Sequence, residues 1–243
     1  ALRDEGKDPV LRFRAGATLA NALYSARRYR EAFERLNSAL DQLPQITDPE
    51  ARAQVLSVAA QLYSMAGQAE LALEYTDRIF REPGADWAQC FAARIRYDSI
   101  ERGSLAAEPD PALDLWIRRC AEQGEEVLGN IMRISRARML LRRNEYRAVI
   151  DDLDSAYARV RQLDFGLLTG LFEATYAEAR RGLGDDARAR KHALAAIAAM
   201  PTAPGNEPMV HGLRTLYLLA KSAGDVDEAL KWYEQYTAAD QAF

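Results

Sequence analysis

The 243-residue chain carries only two cysteines, Cys90 and Cys120, and two histidines, His192 and His211. The cysteines form no C-x-x-C pair and the histidines lack metal-ligand spacing, so neither a zinc centre nor a Cys/His catalytic pair is written in the sequence. H-E-x-x-H, P-loop and G-x-S-x-G strings are missing as well. Long apolar runs are lacking too: Ala193 to Met200 falls far short of the ~20 residues a membrane span requires. Charge of one sign is scarce, with 32 Lys+Arg against 36 Asp+Glu and a net charge of −4. Such a balance offers no broad positive field for nucleic-acid phosphates. The expectation is therefore no metal, no cofactor, no nucleic acid and no membrane span in this segment. What the chain does have is 49% hydrophobic residues, enough for a sizeable core.

One apparent motif dissolves on inspection. Gly182-Leu183-Gly184-Asp185-Asp186-Ala187 matches G-x-G-x-x-A, but that fingerprint needs a preceding strand, and Ala177 to Arg181 reads as helix. A tight helix–helix turn is the expectation there. The dominant signal is a repeat. Ala32 with Leu36, Ala112 with Trp116, Val149 with Leu153 and Ala229 with Tyr233 each pair a small or branched residue with a bulky one four positions on. Ala72 with Thr76 and Ala189 with Ala193 fill the same slots with smaller partners. The first members recur at steps of about 40 residues, which identifies a repeat architecture.

Each unit reads as helix, turn, helix. Gly67, Gly184 and Gly224 mark three of the turns. Arg28, Asn144 and the Gly103 to Asp110 segment stand in others. Twelve residues before the second-helix slot lies another small residue: Ala20, Ala60, Ala137 and Ala177, with Tyr217 breaking the rule. Small residues at both places let antiparallel helices approach closely. Pro44, Pro83 and Pro201 follow second helices, which proline cannot extend. The unit resembles the tetratricopeptide repeat, whose short form is about 34 residues. Ala22-Leu23-Tyr24 through Tyr29, Ala32, Ala39 and Pro44 carries the likeness, as does Ala223-Gly224-Asp225 through Glu228-Ala229-Leu230 and Tyr233. The expected fold is all-α, a right-handed superhelical α-solenoid of about six antiparallel helix pairs. Its approximate repeats are 8–47, 48–86, 87–125, 126–164, 165–204 and 205–243, forming a single domain over 1–243.

The resemblance implies a concave groove lined by the first helix of each pair. Alignment to the repeat places Asn21 and Tyr24 in it, then Ser57, Gln61 and Ser64, with Arg94 and Tyr97 in the irregular third unit. Units four to six add Arg138, Arg142, Glu178, Arg181, Arg214 and Lys221. The N-terminal half of this groove is neutral-polar. Its C-terminal half counts five cations against one acid and is suited to an acidic protein or peptide, or to a small anionic ligand. The carboxylate clamp of chaperone-adaptor repeats does not match, because Gln54 and Val58 stand where that family would place a lysine and an asparagine.

Trp87, Phe91 and Ile95 form an i, i+4, i+8 stripe and read, like Trp116 and Trp232, as packing rather than a stacking surface. The pairs Glu125-Glu126, Asp151-Asp152 and Asp185-Asp186 read as helix starts or turns, where acids complement the helix dipole. Cys90 and Cys120 fall at one end of the third hairpin. Two buried free thiols are the simpler expectation, and a disulfide, which an oxidising compartment would favour, is the geometric alternative.

Asp227 to Phe243 reads as one helix bearing Leu230, Trp232, Tyr233 and Tyr236, with no polar capping helix after it. With the Met-less start, this reads as a fragment of a longer protein. The stretch from Ala223 to Phe243 is similar to the last repeat of sensor regions in bacterial signalling proteins, in particular those preceding a membrane helix and a diguanylate cyclase domain. The Gly-Gly-Asp/Glu-Glu-Phe signature of that cyclase is absent here. The resemblance implies a non-catalytic sensor module that regulates an output domain and faces the periplasm as part of an inner-membrane protein, with a cytoplasmic location as the alternative. A free-standing peptide-binding adaptor is the alternative, a homodimer is a possible arrangement, and an enzyme finds no supporting constellation.

Overall fold

The computed structural model describes residues 9–82, 86–103, 110–200 and 205–242. Among these, twelve α-helices pack in neighbouring pairs: α1 (Pro9–Ser25) with α2 (Tyr29–Gln42), α3 (Pro49–Met65) with α4 (Ala69–Arg81), α5 (Asp86–Gly103) with α6 (Pro111–Glu122), α7 (Glu126–Arg142) with α8 (Tyr146–Gln162), α9 (Gly166–Gly182) with α10 (Asp186–Ala198), and α11 (Glu207–Ala223) with α12 (Val226–Ala242). No strand occurs among the described residues. Pro83 and Pro201 and most of the Gly103–Asp110 segment lie outside them.

The described hairpin turns and the α6–α7 connection share one backbone solution. Gly67, Gly124, Gly184 and Gly224 take left-handed backbone angles, and so do Arg27 and Asn144. At each, the next N–H reaches back to a carbonyl five residues earlier, as in Gln68 to Tyr63 at 2.9 Å, Arg28 to Leu23 at 2.9 Å and Asp225 to Ala220 at 3.1 Å. This bond satisfies a carbonyl the helix end would otherwise orphan. In the first hairpin the left-handed residue is Arg27, one position before the expected Arg28. Helix starts are capped in part by side chains: Asp48 accepts from the Glu50 N–H at 3.0 Å, and Asn206 from the Met209 N–H at 2.9 Å.

Packing follows the repeat slots. Ala32, Leu36 and Ala39 are buried on α2, Ala72, Thr76 and Ile79 on α4, Val149, Leu153 and Ala156 on α8, and Ala189, Ala193 and Ala196 on α10. The facing Ala20, Ala60, Ala137 and Ala177 are sealed as well. On α6 the same i, i+4, i+7 pattern falls on Leu113, Ile117 and Cys120. The expected Ala112 and Trp116 are therefore one residue out of register, because the longer connection before α6 shifts the frame. Each buried leucine or isoleucine contributes ~2 kcal/mol by leaving water. Gly212 marks a close helix approach: a β-carbon there would lie 2.7 Å from the Ala193 carbonyl oxygen.

The chain divides into two compact units. The first contains α1–α5, most of α6 and the start of α7. Its core joins Phe13, Leu43, Val55, Leu56, Ile79 and Ile95, with the rings of Tyr24, Phe33, Tyr63 and Tyr75 in succession at 6.2, 5.5 and 5.4 Å. The second contains the rest of α7 and α8–α12, with Ile134, Leu153, Leu168, Phe172 and Tyr176 in one cluster and Leu213 and Ala239 in another. On α12, Tyr233 occupies the slot of the buried Leu36 and Leu153 yet is 46% exposed.

Candidate functional site

In the second unit the expected basic groove is largely neutralised. Arg138 on α7 meets Glu207 on α11 at 2.6 Å with both side chains mostly buried, and Arg214 lies 3.8 Å from Glu178. His211 Nε2 stands 3.9 Å from the same Glu207. The count of five cations against one acid thus omitted Glu207, which reads in sequence as a first-turn acid beside Pro208. Only the packing reveals that it reaches a helix two hairpins earlier in the chain. Burial pushes the His211 imidazole below its ordinary value, and the Arg138 charge adds to the effect.

The other C-terminal candidates diverge. Arg142 is exposed near the end of α7, and the Arg181 Nε is buried without a hydrogen-bond partner. Lys221 lies 5.7 Å over the Tyr217 ring. It lines a cavity of about 420 Å³ with Tyr217, Ala229, Leu230 and Tyr233. Trp232 packs beside Leu213 and Ala239, as expected for a core tryptophan.

The first unit has a different polar face. Asn21 is half-buried, and burial together with Tyr29 raises the Tyr24 phenol. Gln61 lies against the Met65 sulfur at 3.7 Å, and the Ser64 and Ser99 hydroxyls meet at 3.0 Å. Tyr97 is 1% exposed and belongs to the core, not the groove. Ser57 is 4% exposed, and its hydroxyl has no hydrogen-bond partner. Arg94, at the matching place on the neighbouring helix α5, lies 4.8 Å over the Phe91 ring, with its Nε buried and unpartnered. Asp98, one turn on, accepts from Arg102 at 3.1 Å. Burial therefore lowers the Arg94 guanidinium from its ordinary value, against a smaller opposing pull from Asp98.

Two polar networks in the second unit escaped the sequence reading. Asp152 receives both Arg133 and Arg136, so the Asp151-Asp152 pair sits within α8 and not at its start. Glu173, 3% exposed on α9, accepts from the Tyr157 hydroxyl and meets His192 Nδ1 at 2.6 Å. Tyr176 stacks on His192 at 5.0 Å and donates to Asp154 at 2.7 Å. Burial alone would raise the Glu173 carboxyl, but the hydrogen bonds from His192 and Tyr157 outweigh it and hold the group below its ordinary range. Burial and the bond to Asp154 push the Tyr176 phenol far up. Glu173 lies forty residues after Arg133, and His192 forty after Asp152, so one repeat position bears a carboxylate and a nitrogen donor with their places exchanged. That spacing was the signal available in the sequence.

The structure joins Cys90 on α5 to Cys120 on α6 by a disulfide with Cα atoms 5.6 Å apart, in place of the two free thiols expected. Cys120 occupies the buried i+7 slot of the repeat, which brings it against the preceding helix. Trp87 donates to Glu50 at 2.7 Å, and Trp116 stacks on Phe80 at 5.1 Å, so both serve packing. Among the described residues no helix is long and apolar enough to cross a membrane, and no three His, Cys, Asp or Glu side chains converge as metal ligands. No protein-family model matches the chain, and no curated protein matches its sequence.

Proposed function

We propose that this chain is a non-catalytic binding module of the tetratricopeptide type, in which successive helix pairs wind as a right-handed solenoid and the first helices offer a ligand face. The observation that carries the reading is the division of labour within the pairs. The second helices bury one stripe at their i, i+4, i+7 slots, while α3 and α5 keep Gln61 and Arg94 as half-buried polar side chains. A protein segment or peptide, or a small anionic ligand, is the occupant such a face suits. As a sensor region, the module would pass occupancy to an attached output domain such as a diguanylate cyclase, from the periplasmic side of an inner membrane.

Hydrogen exchange tests the face. An acidic twelve-residue peptide that binds the purified chain should slow amide exchange on α3 and α5. Protection confined to α2 and α4, or no binding by acidic, neutral and basic peptides alike, would remove the reading. The sensing role is tested in the parent protein by the rate of cyclic di-GMP formation from GTP. A rate unmoved by the bound peptide would leave the adaptor reading in its place.

A further inference from the structure

We infer that copies of this chain associate head to tail, the α1 face of one seating on the α12 face of the next as α3 seats on α2 and α11 on α10. The inference goes beyond the ligand-face reading and does not depend on it. Successive hairpins within a unit meet at a recurring junction. Leu36 on α2 clusters with Ala59 and Leu62 of α3, and the Phe33 and Tyr63 rings stand 5.5 Å apart beside them. The first-helix half of that junction on α3 is Ala51, Val55, Ala59 and Leu62, all buried. On α11 the same positions are Pro208, Gly212, Leu216 and Leu219, buried as well, with Leu216 clustered on Ala177 and Ala193. On α1 those positions are Leu11, Ala15, Leu19 and Ala22, and all four are exposed, Leu19 by 44%.

The second-helix half lies open on α12. Leu230 and Tyr233 occupy the slots of Ile150 and Leu153, which are buried on α8, yet Leu230 is 56% exposed. With Val226 and Tyr217 they line the cavity of about 420 Å³. The two open faces are thus the complementary halves of a junction the chain builds internally, which selects a second copy as the occupant. Charge agrees with that choice. Among the described residues α1 carries Arg12 and Arg14 and no acid, whereas α12 carries Asp227, Glu234 and Asp240 against Lys231, with Glu228 spent on Arg190. Pairing α12 with α12, or α1 with α1, would bring like charges together. A head-to-tail contact leaves one face of each kind open on every pair, so growth continues until a ring closes.

Sedimentation velocity of the 243-residue chain tests the assembly. The average mass should rise with concentration past that of a dimer, and added salt should lower it. Leu19→Glu and Leu230→Glu alter exposed side chains, so each variant should keep the natural circular dichroism and the melting temperature of the dilute protein. Each should weaken association at least ~tenfold, because the contact would bury an unpaired carboxylate. Mixed in equal amounts, the two variants should form a dimer and stop, since one intact α1 face and one intact α12 face remain between them. Leu194→Glu, at an exposed leucine on α10, should change nothing. A chain that stays monomeric, or variants that associate as the natural chain does, would overturn the assembly. A mixture that stays monomeric would overturn it too, in favour of a symmetric pairing of one face. In a longer parent chain, α12 amides protected from exchange in the monomer would give that face to an attached segment and overturn the inference.

Discussion

The two compact units close the same helical frame with different chemistry. In the first, the spaces between hairpins are filled by apolar side chains and a run of aromatic rings, and its third hairpin is bolted by Cys90–Cys120. In the second, corresponding positions carry polar partners: the ion pair of Arg133 with Asp152, and the hydrogen-bonded contact of Glu173 with His192. The contrast extends to the first-helix faces. The second unit spends Arg138, Glu178, Glu207 and Arg214 on one another, whereas the first keeps Arg94 without a carboxylate. A repeat backbone thus fixes where side chains meet but not which interaction they make there.

The largest expected effect breaks the ionic half. Glu173→Ala leaves Tyr157 and His192 facing an apolar gap, and should cost ~3–5 kcal/mol in urea denaturation, as for one partner removed from a buried pair. Glu173→Gln, which keeps the hydroxyl's acceptor, should cost less. Because the Glu173 carboxyl is held low in the folded chain, its stabilisation is present above the ordinary carboxylate range and is lost as pH falls through the folded value. A urea midpoint unchanged by Glu173→Ala would place this network outside the stability of the unit.

The covalent half comes next. Reduction with dithiothreitol, or Cys90→Ser with Cys120→Ser, opens a loop of 30 residues in sequence and should cost ~3 kcal/mol. The loss should fall on exchange protection in α5 and α6. Equal protection in reduced and oxidised protein would show that the apolar core of the first unit suffices.

The smallest effect sharpens the comparison through pH. Burial and Arg138 lower the His211 imidazole from its ordinary 6.5, so the unfolded chain binds the proton first. Stability contributed by neutral His211 is therefore complete above the unfolded value and declines as pH falls below it. His211→Gln should flatten the slope of stability against pH just below 6.5. The effect should stay under ~1 kcal/mol, because solvent screens a side chain that is 38% exposed. A slope unchanged by the substitution would mean that other groups govern that window.

Much of the fold was legible because helical hairpins are local. The forty-residue step, the paired small residues and the glycine turns specify where each helix begins, ends and buries its stripe, and the buried Ala20–Ala32 and Ala177–Ala189 slots follow from them. The third hairpin was misplaced by one residue because its connection is longer, and a frame counted from its neighbours does not carry across that insertion. The proposed ligand face was legible only as a set of positions. Spacing assigns Asn21, Gln61 and Arg94 to that proposed face, but nothing in the spacing shows that Tyr97 turns inward or that Glu207 reaches Arg138.

By itself, then, the sequence determined an all-helical chain of paired helices, through periodicities that act over a few residues and need no distant partner. Only the tertiary structure decided which charges are spent. An ion pair depends on a few ångströms between side chains on separate helices, and a guanidinium is paired or unpaired according to what packing brings beside it. That is why Arg138 and Arg94, alike in sequence as cations on first helices, end as a closed salt bridge and a half-buried guanidinium laid over the Phe91 ring.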